Sequence, residues 1–289
     1  MNWFDYSAPT SLADALAQLS AHPRALPLAG GTDLLVQLRA NRKQTGFVVD
    51  MKRVPDLNEI SYNPATGLTL GAAVPCIEVY ENEAVRRHYP ALADVASIIG
   101  GTQIQGRASI GGNLCNAAPS ADAVPLLIAL GASAHVAAAA GSRDIPVADF
   151  CTAPGQNVLR PGEVLVSIRI PAPKPHSGAH YLRFIPRNEM DIAVAGAGVS
   201  VVLENGAFKQ ARIALASVAP TPLFVKEAGD SLVGKPVNSD SINAAAELAK
   251  AAARPITDMR GTVEYRRHLC AVLTRRALAS AVKQAQEAR

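Results

Sequence analysis

The sequence predicts an α+β fold of two domains, and three observations support this prediction. A chain of 289 residues is long enough for two domains at a typical size of about 150 residues each. The first half alternates short apolar runs, glycine turns and helical patterns, as α/β units do. The second half begins with two long apolar runs joined by Asn205-Gly206 and ends in helical patterns, which predicts a β-meander followed by helices.

The N-terminal elements follow from capping residues and apolar spacing. Ser11 is a suitable N-cap for a helix with apolar residues at helical spacing, and this helix must end before Pro23. An apolar run over residues 25–29 predicts a strand that leads into Gly30-Gly31. After the glycines, the spacing of Leu34, Leu35 and Leu38 predicts the apolar face of a helix, and residues 47–49 predict a strand. The predicted order is strand, glycine turn, helix and strand.

Further elements are predicted on both sides of a proline-rich segment. Pro125 fits only the first turn of a helix, because proline lacks the N–H that later turns require. The repeated prolines of residues 171–175 predict an extended linker, so we place the domain boundary between residues 174 and 175. The predicted strands cover residues 68–72, 134–139, 164–170, 193–203 and 212–218, and the predicted helices cover residues 90–99, 121–130, 241–253 and 262–288.

The composition disfavours several classes of function. The four cysteines have no C-x-x-C spacing, so the sequence predicts neither a disulfide framework, a zinc site nor an iron–sulfur cluster in this chain. The N-terminus lacks the pattern of a signal peptide, and the apolar stretches at 123–140 and 192–203 are interrupted or short. We therefore expect a cytoplasmic chain without a membrane span. A charge of +4 spread along the chain gives little support for nucleic-acid binding but suits an anionic cofactor.

Two glycine-rich segments are the candidate ligand-binding features. Residues 29–33 stand between a predicted strand and a predicted helix, where the missing β-carbons let main-chain N–H groups approach a phosphate. Residues 109–113 add hydroxyl and amide groups, with Asn116 close by, and two such loops suit a diphosphate. Two unrelated tight turns are the alternative. Asp122 is suited either to accepting hydrogen bonds from sugar or ribityl hydroxyls or to capping a helix.

Other signatures of chemistry are missing or incomplete. There is no P-loop motif, and Gly196-Ala197-Gly198 has Val201 where a Rossmann fingerprint needs a small residue, so it predicts close packing in a strand. His176 and His180 are four residues apart beside prolines, which disfavours a helical metal pair. Motifs of hydrolases are absent. Basic residues in the last predicted helix indicate a solvated face, with partner docking as the alternative: Arg260, Arg266, Arg267, Arg275 and Arg276.

Three motifs in this order resemble the FAD-binding medium subunit of molybdenum hydroxylases. They are Pro-Leu-Ala-Gly-Gly-Thr-Asp-Leu at 27–34, the segment at 108–122 that contains Ser-Ile-Gly-Gly-Asn, and Arg-Asn-Glu-Met-Asp-Ile-Ala at 187–193. The family includes flavin subunits of carbon monoxide dehydrogenases and of bacterial xanthine-dehydrogenase-type enzymes. The resemblance implies a PCMH-type FAD-binding domain over residues 1–174, with two α/β subdomains at about 1–55 and 56–174. An α+β C-terminal domain would follow over residues 175–289.

The resemblance also implies which residues bind FAD without a covalent link. The first motif and residues 109–113 would hold the pyrophosphate, Asp122 would contact the ribityl or flavin portion, and Leu165 and Arg183 would approach the ring. Ile99 replaces an aromatic residue of some relatives, so no stacking contact is carried over. No catalytic side chain and no metal ligand is predicted. The predicted cofactor-binding residues are Pro27, Leu28, Ala29, Gly30, Gly31, Thr32, Asp33, Leu34, Ser109, Ile110, Gly111, Gly112, Asn113, Asn116, Asp122, Leu165 and Arg183.

The function implied by the resemblance is electron relay within an oxidoreductase. A large partner subunit would hold a molybdenum cofactor, and a small partner subunit would hold two 2Fe–2S iron–sulfur clusters. FAD in this chain would collect the electrons and pass them to NAD, oxygen, quinone or another acceptor. The assembly expected is a dimer of heterotrimers.

Two questions stay open at the level of sequence. A stand-alone FAD reductase of the UDP-N-acetylenolpyruvoylglucosamine reductase type shares the general flavin fold, and a binding module that has lost its flavin is a further alternative. Residues 187–193 form either a charged strand rim or a contact near the flavin edge or a subunit. Valine at Gly31 or Gly111 is expected to fill phosphate space and leave the fold largely assembled.

Overall fold

The computed structural model describes residues 2–188 and 190–288, and it begins with a small parallel β-sheet. The strand order is β1-β3-β2, and the side chain of Ser11 caps the first helix by accepting the Asp14 N–H at 3.2 Å. This confirms the predicted strand, glycine turn, helix and strand. The elements are β1 (Asp5–Ser7), α1 (Leu12–Ala21), β2 (Leu26–Leu28), α2 (Leu34–Arg39) and β3 (Phe47–Asp50).

An antiparallel five-stranded sheet with helices forms the second unit, in the strand order β4-β5-β10-β6-β7. Pro125 is in the first turn of its helix, as predicted, and the helix is fully buried. The elements are β4 (Ile60–Asn63), β5 (Gly67–Gly71), α3 (Cys76–Glu81), α4 (Glu83–His88), α5 (Pro90–Ser97), α6 (Thr102–Gln105), α7 (Ile110–Asn116), α8 (Ala123–Ala129), β6 (Ser133–Ala138), β7 (Gly141–Pro146), β8 (Cys151–Ala153), β9 (Gln156–Asn157) and β10 (Val164–Ile170).

The C-terminal part is a four-stranded antiparallel meander covered by two long helices. Asn205 and Gly206 have φ angles of 51° and 77°, which confirms the tight hairpin turn predicted between the two long strands. The strand at Ser177–Phe184 was not predicted, because it follows the prolines and has no continuous apolar run. The elements are β11 (Ser177–Phe184), β12 (Ala195–Glu204), β13 (Ala207–Ala216), β14 (Leu223–Phe224), α9 (Lys226–Asp230), α10 (Ser239–Ala252) and α11 (Val263–Glu287).

The arginines near α11 do not all form the predicted solvated face. Arg260 precedes the helix, and Arg266 is only 4% exposed. The guanidinium group of Arg266 donates to the Val194 carbonyl at 2.7 Å and to the Asp258 carboxylate at 2.6 Å. For Arg266 the prediction was wrong, because carbonyl and carboxylate acceptors at its two terminal nitrogens stabilise the buried guanidinium group.

The C-terminal sheet packs directly on α8 of the second unit, and Gly198 is the point of closest approach. A β-carbon at Gly198 would lie 2.6 Å from the carbonyl carbon of Pro125 and 2.7 Å from the Leu126 nitrogen. A β-carbon at Gly196 would overlap the hydroxyl of Tyr181. The predicted role of this glycine pair in close packing is therefore confirmed, and the contact fixes the C-terminal domain against the helix that follows the second glycine segment.

We predict that Gly198→Ala lowers the free energy of unfolding by about 1–3 kcal/mol, because the added methyl group has no space between strand and helix. Urea denaturation of the full chain measures the change. Gly46→Ala is the matched control, because no atom lies within 4 Å of a β-carbon there. Equal midpoints for the two variants would contradict the packing proposed for Gly198.

Candidate cofactor-binding site

A cleft of about 600 Å³ lies where the parallel sheet meets the five-stranded unit, beyond the carboxyl end of β2. Ligands of α/β proteins commonly bind at such a sheet edge. Of the predicted residues, Leu28 and Ile110 are buried in the core, and Asp122 and Arg183 are also outside the cleft lining. Those that line the cleft are Pro27, Ala29, Gly30, Gly31, Thr32, Asp33, Leu34, Ser109, Gly111, Gly112, Asn113, Asn116 and Leu165.

The first glycine segment is a true loop, and it touches the chain just before the second segment. A β-carbon at Gly30 would overlap the carbonyl group of Arg107 and would lie 2.9 Å from the Ala108 nitrogen. Gly31 has a φ angle of 79°, a conformation that favours glycine. Within the described part of the chain, the N–H groups of residues 30–33 have no hydrogen-bond acceptor. The loop therefore offers consecutive free donors to an anion.

The second glycine segment was predicted to be a loop, but in the structure it forms the first turn of α7. Ser109 is its N-cap, and the Ser109 hydroxyl accepts the Gly112 N–H at 2.9 Å. A β-carbon at Gly111 would lie 2.6 Å from the Ala72 α-carbon, so this glycine lets the helix pack on the strand unit. Valine at Gly111 would therefore disturb the core, contrary to our expectation. Gly112 lines the cleft, and only the Ser109 hydroxyl is near its β-carbon position.

Two asparagine side chains connect the glycine segments to neighbouring elements. The Gln37 amide in α2 donates to the Asn116 oxygen at 2.9 Å, which joins α2 to the end of α7. The Asn113 oxygen accepts the Ala123 N–H at 3.3 Å at the start of α8. Each asparagine uses its oxygen inside the protein and keeps its NH₂ group as a donor, which suits phosphate or hydroxyl oxygens.

Three cations that sequence reasoning missed also line the cleft: Arg24, Lys43 and Arg160. They belong to no motif, so only the three-dimensional fold could reveal them. Asp33 lies near Lys43, but desolvation by burial outweighs the effect of Lys43 and raises the pKa of the Asp33 carboxyl group. The cleft also contains Glu163, whose charge is balanced elsewhere.

Glu163 is neutralised by a cation outside the cleft lining. The guanidinium group of Arg143 donates to both carboxylate oxygens, at 2.9 and 2.8 Å. These bonds lower the pKa of Glu163 below its usual value. Because Glu163 is paired, the net charge that the cleft presents to a ligand is positive.

Apolar side chains form the rest of the cleft. Leu165 is 4% exposed and lines the cleft next to an irregularity in the pairing of β10 with β6. Ile99 and Ile104 come from the turn and helix before the second glycine segment. A flat aromatic group fits between such side chains better than a charged one does.

Asp122 and Arg183 contact each other and join the two domains. One Asp122 oxygen accepts the Tyr181 hydroxyl at 2.8 Å, and the other accepts Arg183 Nη1 at 2.6 Å. Arg183 Nη2 also donates to the Ile98 carbonyl at 3.0 Å. Burial outweighs the effect of Arg183 and raises the pKa of Asp122. Asp122 makes no capping hydrogen bond to α8, so the capping alternative was wrong.

The segment at residues 187–193 follows β11, and Glu189 within it lies outside the described residues. Arg187 donates to the Met190 carbonyl at 2.6 Å, and Asp191 lies 3.8 Å from Arg260. The sulfur of Met190 would lie 2.9 Å from a β-carbon at Gly101, so the segment borders the turn that carries Ile99.

A second cleft of about 760 Å³ lies at the proline linker between the domains, and neither glycine segment lines it. Although it is larger, its lining does not include residues 30–33 with their consecutive free N–H groups, so we assign the candidate site to the glycine cleft. Among the described residues, no group of three or more potential metal ligands occurs. None of the described helices is long and apolar enough to cross a membrane.

Two family descriptions match the chain. The FAD binding domain in molybdopterin dehydrogenase matches residues 2–173, and the CO dehydrogenase flavoprotein C-terminal domain matches residues 180–281. The chain is 33% identical to the xanthine dehydrogenase FAD-binding subunit of Escherichia coli O157:H7, covering 96% of this chain and 95% of that protein. It is 32% identical to the carbon monoxide dehydrogenase medium chain of Afipia carboxidovorans, covering 98% of each.

Solved structures show the same fold. The match to carbon monoxide dehydrogenase from Hydrogenophaga pseudoflava has a TM-score of 0.93 at 32% identity and covers 97% of both chains. The match to quinoline 2-oxidoreductase from Pseudomonas putida 86 has a TM-score of 0.91 at 30% identity and covers 98% of both chains. The predicted α+β fold class is therefore confirmed, and the chain belongs to the FAD-binding medium subunits of the molybdenum hydroxylases, which are oxidoreductases.

Proposed function

We propose that this chain transfers electrons within a molybdenum hydroxylase, taking them from iron–sulfur clusters of a partner subunit and passing them to an external acceptor. The observation that carries the proposal is the cleft lined both by free main-chain N–H groups and by three cations, Arg24, Lys43 and Arg160. That combination suits the diphosphate of FAD. When bound, FAD supplies the redox chemistry, because it accepts electrons singly and gives them in pairs.

The pyrophosphate is assigned to the two glycine segments. The N–H groups of residues 30–33 donate to the oxygens of the pyrophosphate. Gly112, in the first turn of α7, has no side chain and leaves space for the pyrophosphate on the other side. Arg24, Lys43 and Arg160 offset its negative charge.

The ring end is assigned to the apolar part of the cleft. Leu165 and Ile99 pack against the isoalloxazine and exclude water from it. Asp122 lies outside the cleft lining, and its assignment to the ribityl portion rests on the lone pairs that its carboxylate keeps beside its bonds to Tyr181 and Arg183. Arg183 donates to the carbonyl of Ile98, which precedes Ile99 in the cleft wall. We therefore assign Arg183 to the ring end, through this bond and through its charge.

The domain limits and the assembly belong to the same proposal. Residues 1–174 would form the FAD-binding domain, with subdomains at about 1–55 and 56–174, and residues 175–289 the C-terminal domain. The partners would be an iron–sulfur small subunit and a molybdopterin-binding large subunit, in a dimer of heterotrimers in the cytoplasm. Two of the relatives are named as the FAD-binding subunit and the medium chain of larger dehydrogenases, which supports partners of this kind.

The comparisons favour this function over the stand-alone reductase. One family description names molybdopterin dehydrogenase and the other names CO dehydrogenase, and together they cover residues 2–173 and 180–281 of the chain. An independent reductase would in addition need substrate-binding groups of its own beside the flavin.

We predict that the affinity-tagged chain, purified from its native host, brings down two further subunits together with iron, molybdenum and FAD. Subunit composition, metal analysis and the absorption spectrum measure this. A chain that purifies alone with FAD and reduces a small substrate at a steady rate would contradict electron relay. A chain that binds no flavin would contradict the site itself.

We predict that Gly112→Val raises the dissociation constant of FAD about tenfold or more, because its side chain enters the cleft, where the Ser109 hydroxyl is the neighbour of its β-carbon. Titration of FAD into the FAD-free full chain, followed by flavin fluorescence, measures the constant. Thermal unfolding without FAD should change little.

Two neighbouring glycines serve as controls for that variant. Gly106→Ala should leave both FAD affinity and stability unchanged, because the nearest atom to its β-carbon is 3.8 Å away. Gly111→Ala should lower stability, because its β-carbon would press on Ala72. If Gly112→Val bound FAD as tightly as the unmodified chain, the assignment of the diphosphate to α7 would be wrong.

A further inference from the structure

The carbonyl groups of the first glycine loop are held by donors on the side away from its free N–H groups. Lys52 Nζ donates to the Ala29 carbonyl at 3.2 Å, and Arg107 Nε donates to the Gly30 carbonyl at 3.4 Å. The Gly31 carbonyl accepts the Leu35 N–H at 3.0 Å. Three successive carbonyl groups of the loop are therefore fixed from within the protein.

Fixing a carbonyl group also fixes the N–H group that follows it. A peptide bond is planar and trans, so the C=O of one residue and the N–H of the next point in opposite directions. A donor that holds the Ala29 carbonyl therefore orients the N–H of Gly30. The same relation connects the Gly30 carbonyl with the N–H of Gly31.

Lys52 is itself held by a buried carboxylate. Asp50 is the last residue of β3, pairs with Leu28 of β2 in the parallel sheet and is only 5% exposed. One of its oxygens is 2.5 Å from Lys52 Nζ, and the other accepts the Tyr6 hydroxyl at 2.5 Å. Burial alone would raise the pKa of Asp50, but the hydrogen bonds from Lys52 and Tyr6 outweigh it and lower the pKa. Asp50 is thus ionised at neutral pH and keeps the ammonium group beside Ala29.

Lys52 differs from the cations assigned to the diphosphate. Arg24, Lys43 and Arg160 line the cleft, whereas Lys52 does not, and its ammonium group is bonded to Asp50 and Ala29. Lys52 is therefore placed to act on a ligand through the main chain of the loop.

We propose that Lys52 is a positioning residue for the diphosphate site: anchored by Asp50 and Tyr6, it holds the Ala29 carbonyl so that the N–H of Gly30 faces the ligand. This inference rests on the proposed assignment of the FAD diphosphate to the first glycine loop. It assigns a role in cofactor binding to Tyr6, Asp50 and Lys52, which are outside the glycine motifs.

The test compares four variants of the full chain by the dissociation constants of FAD and of ADP, which shares the diphosphate but lacks the flavin. Lys52→Met keeps most of the side-chain length without the donor and should weaken both ligands about tenfold, while Lys52→Arg should restore affinity to within about threefold. Tyr6→Phe should weaken both ligands by a smaller factor, because Tyr6 is exposed and supports Lys52 only through Asp50. Arg53→Met removes a neighbouring exposed charge and should change neither constant.

Each outcome separates this inference from the site assignment. Unchanged affinities in Lys52→Met, a loss in Arg53→Met as large as in Lys52→Met, or a loss for FAD without a loss for ADP would overturn the role of Lys52. If Lys52→Met did not fold, full affinity in Tyr6→Phe would overturn it instead. If the unmodified chain bound FAD but ADP did not compete with it, the assignment of the diphosphate would fail before the variants were compared.

Discussion

The contact between Gly30 and the main chain at Arg107 is the constraint on which the rest of the site depends. No side chain fits there, so the loop after β2 lies directly against the segment that leads into α7. This contact places two glycine segments, which are far apart in the sequence, on the walls of one cleft. Gly111 against Ala72 and Gly198 against α8 extend the same close packing through the second unit to the C-terminal sheet. Glycine thus supplies both the free donors and the contacts that bring them together.

The electrostatics of the cleft follow from which charges are already paired. Glu163 is neutralised by Arg143, and Asp50 by Lys52, whereas Arg24, Lys43 and Arg160 line the cleft. The carboxylates of Glu163 and Asp50 are thus paired with other cations. An anion that enters the cleft therefore meets N–H donors and cations. The arrangement binds a diphosphate without any acid or base that acts on a substrate, which agrees with a subunit whose bound flavin supplies the chemistry.

The sequence predicted the parts of the fold and of the site that local chemistry determines. Ser11 as a cap, Pro125 in a first turn and Asn205-Gly206 in a hairpin were correct, because each depends on a few neighbouring residues. The helical form of residues 110–116, the cations of the cleft and the pairing of Asp122 with Arg183 were missed. They depend on contacts between distant segments, which a single sequence does not reveal. The family resemblance supplied the cofactor, but it did not supply these contacts.

Amide hydrogen exchange of the full chain, with and without FAD, tests most directly whether the two glycine segments form one diphosphate site. N–H groups that donate to a ligand exchange more slowly. We predict slower exchange in peptides covering residues 29–34 and in those covering residues 109–113, with no change in peptides that cover residues 87–92 and 177–179 of the linker cleft. Protection of only one glycine segment, or protection centred on the linker cleft, would contradict the account.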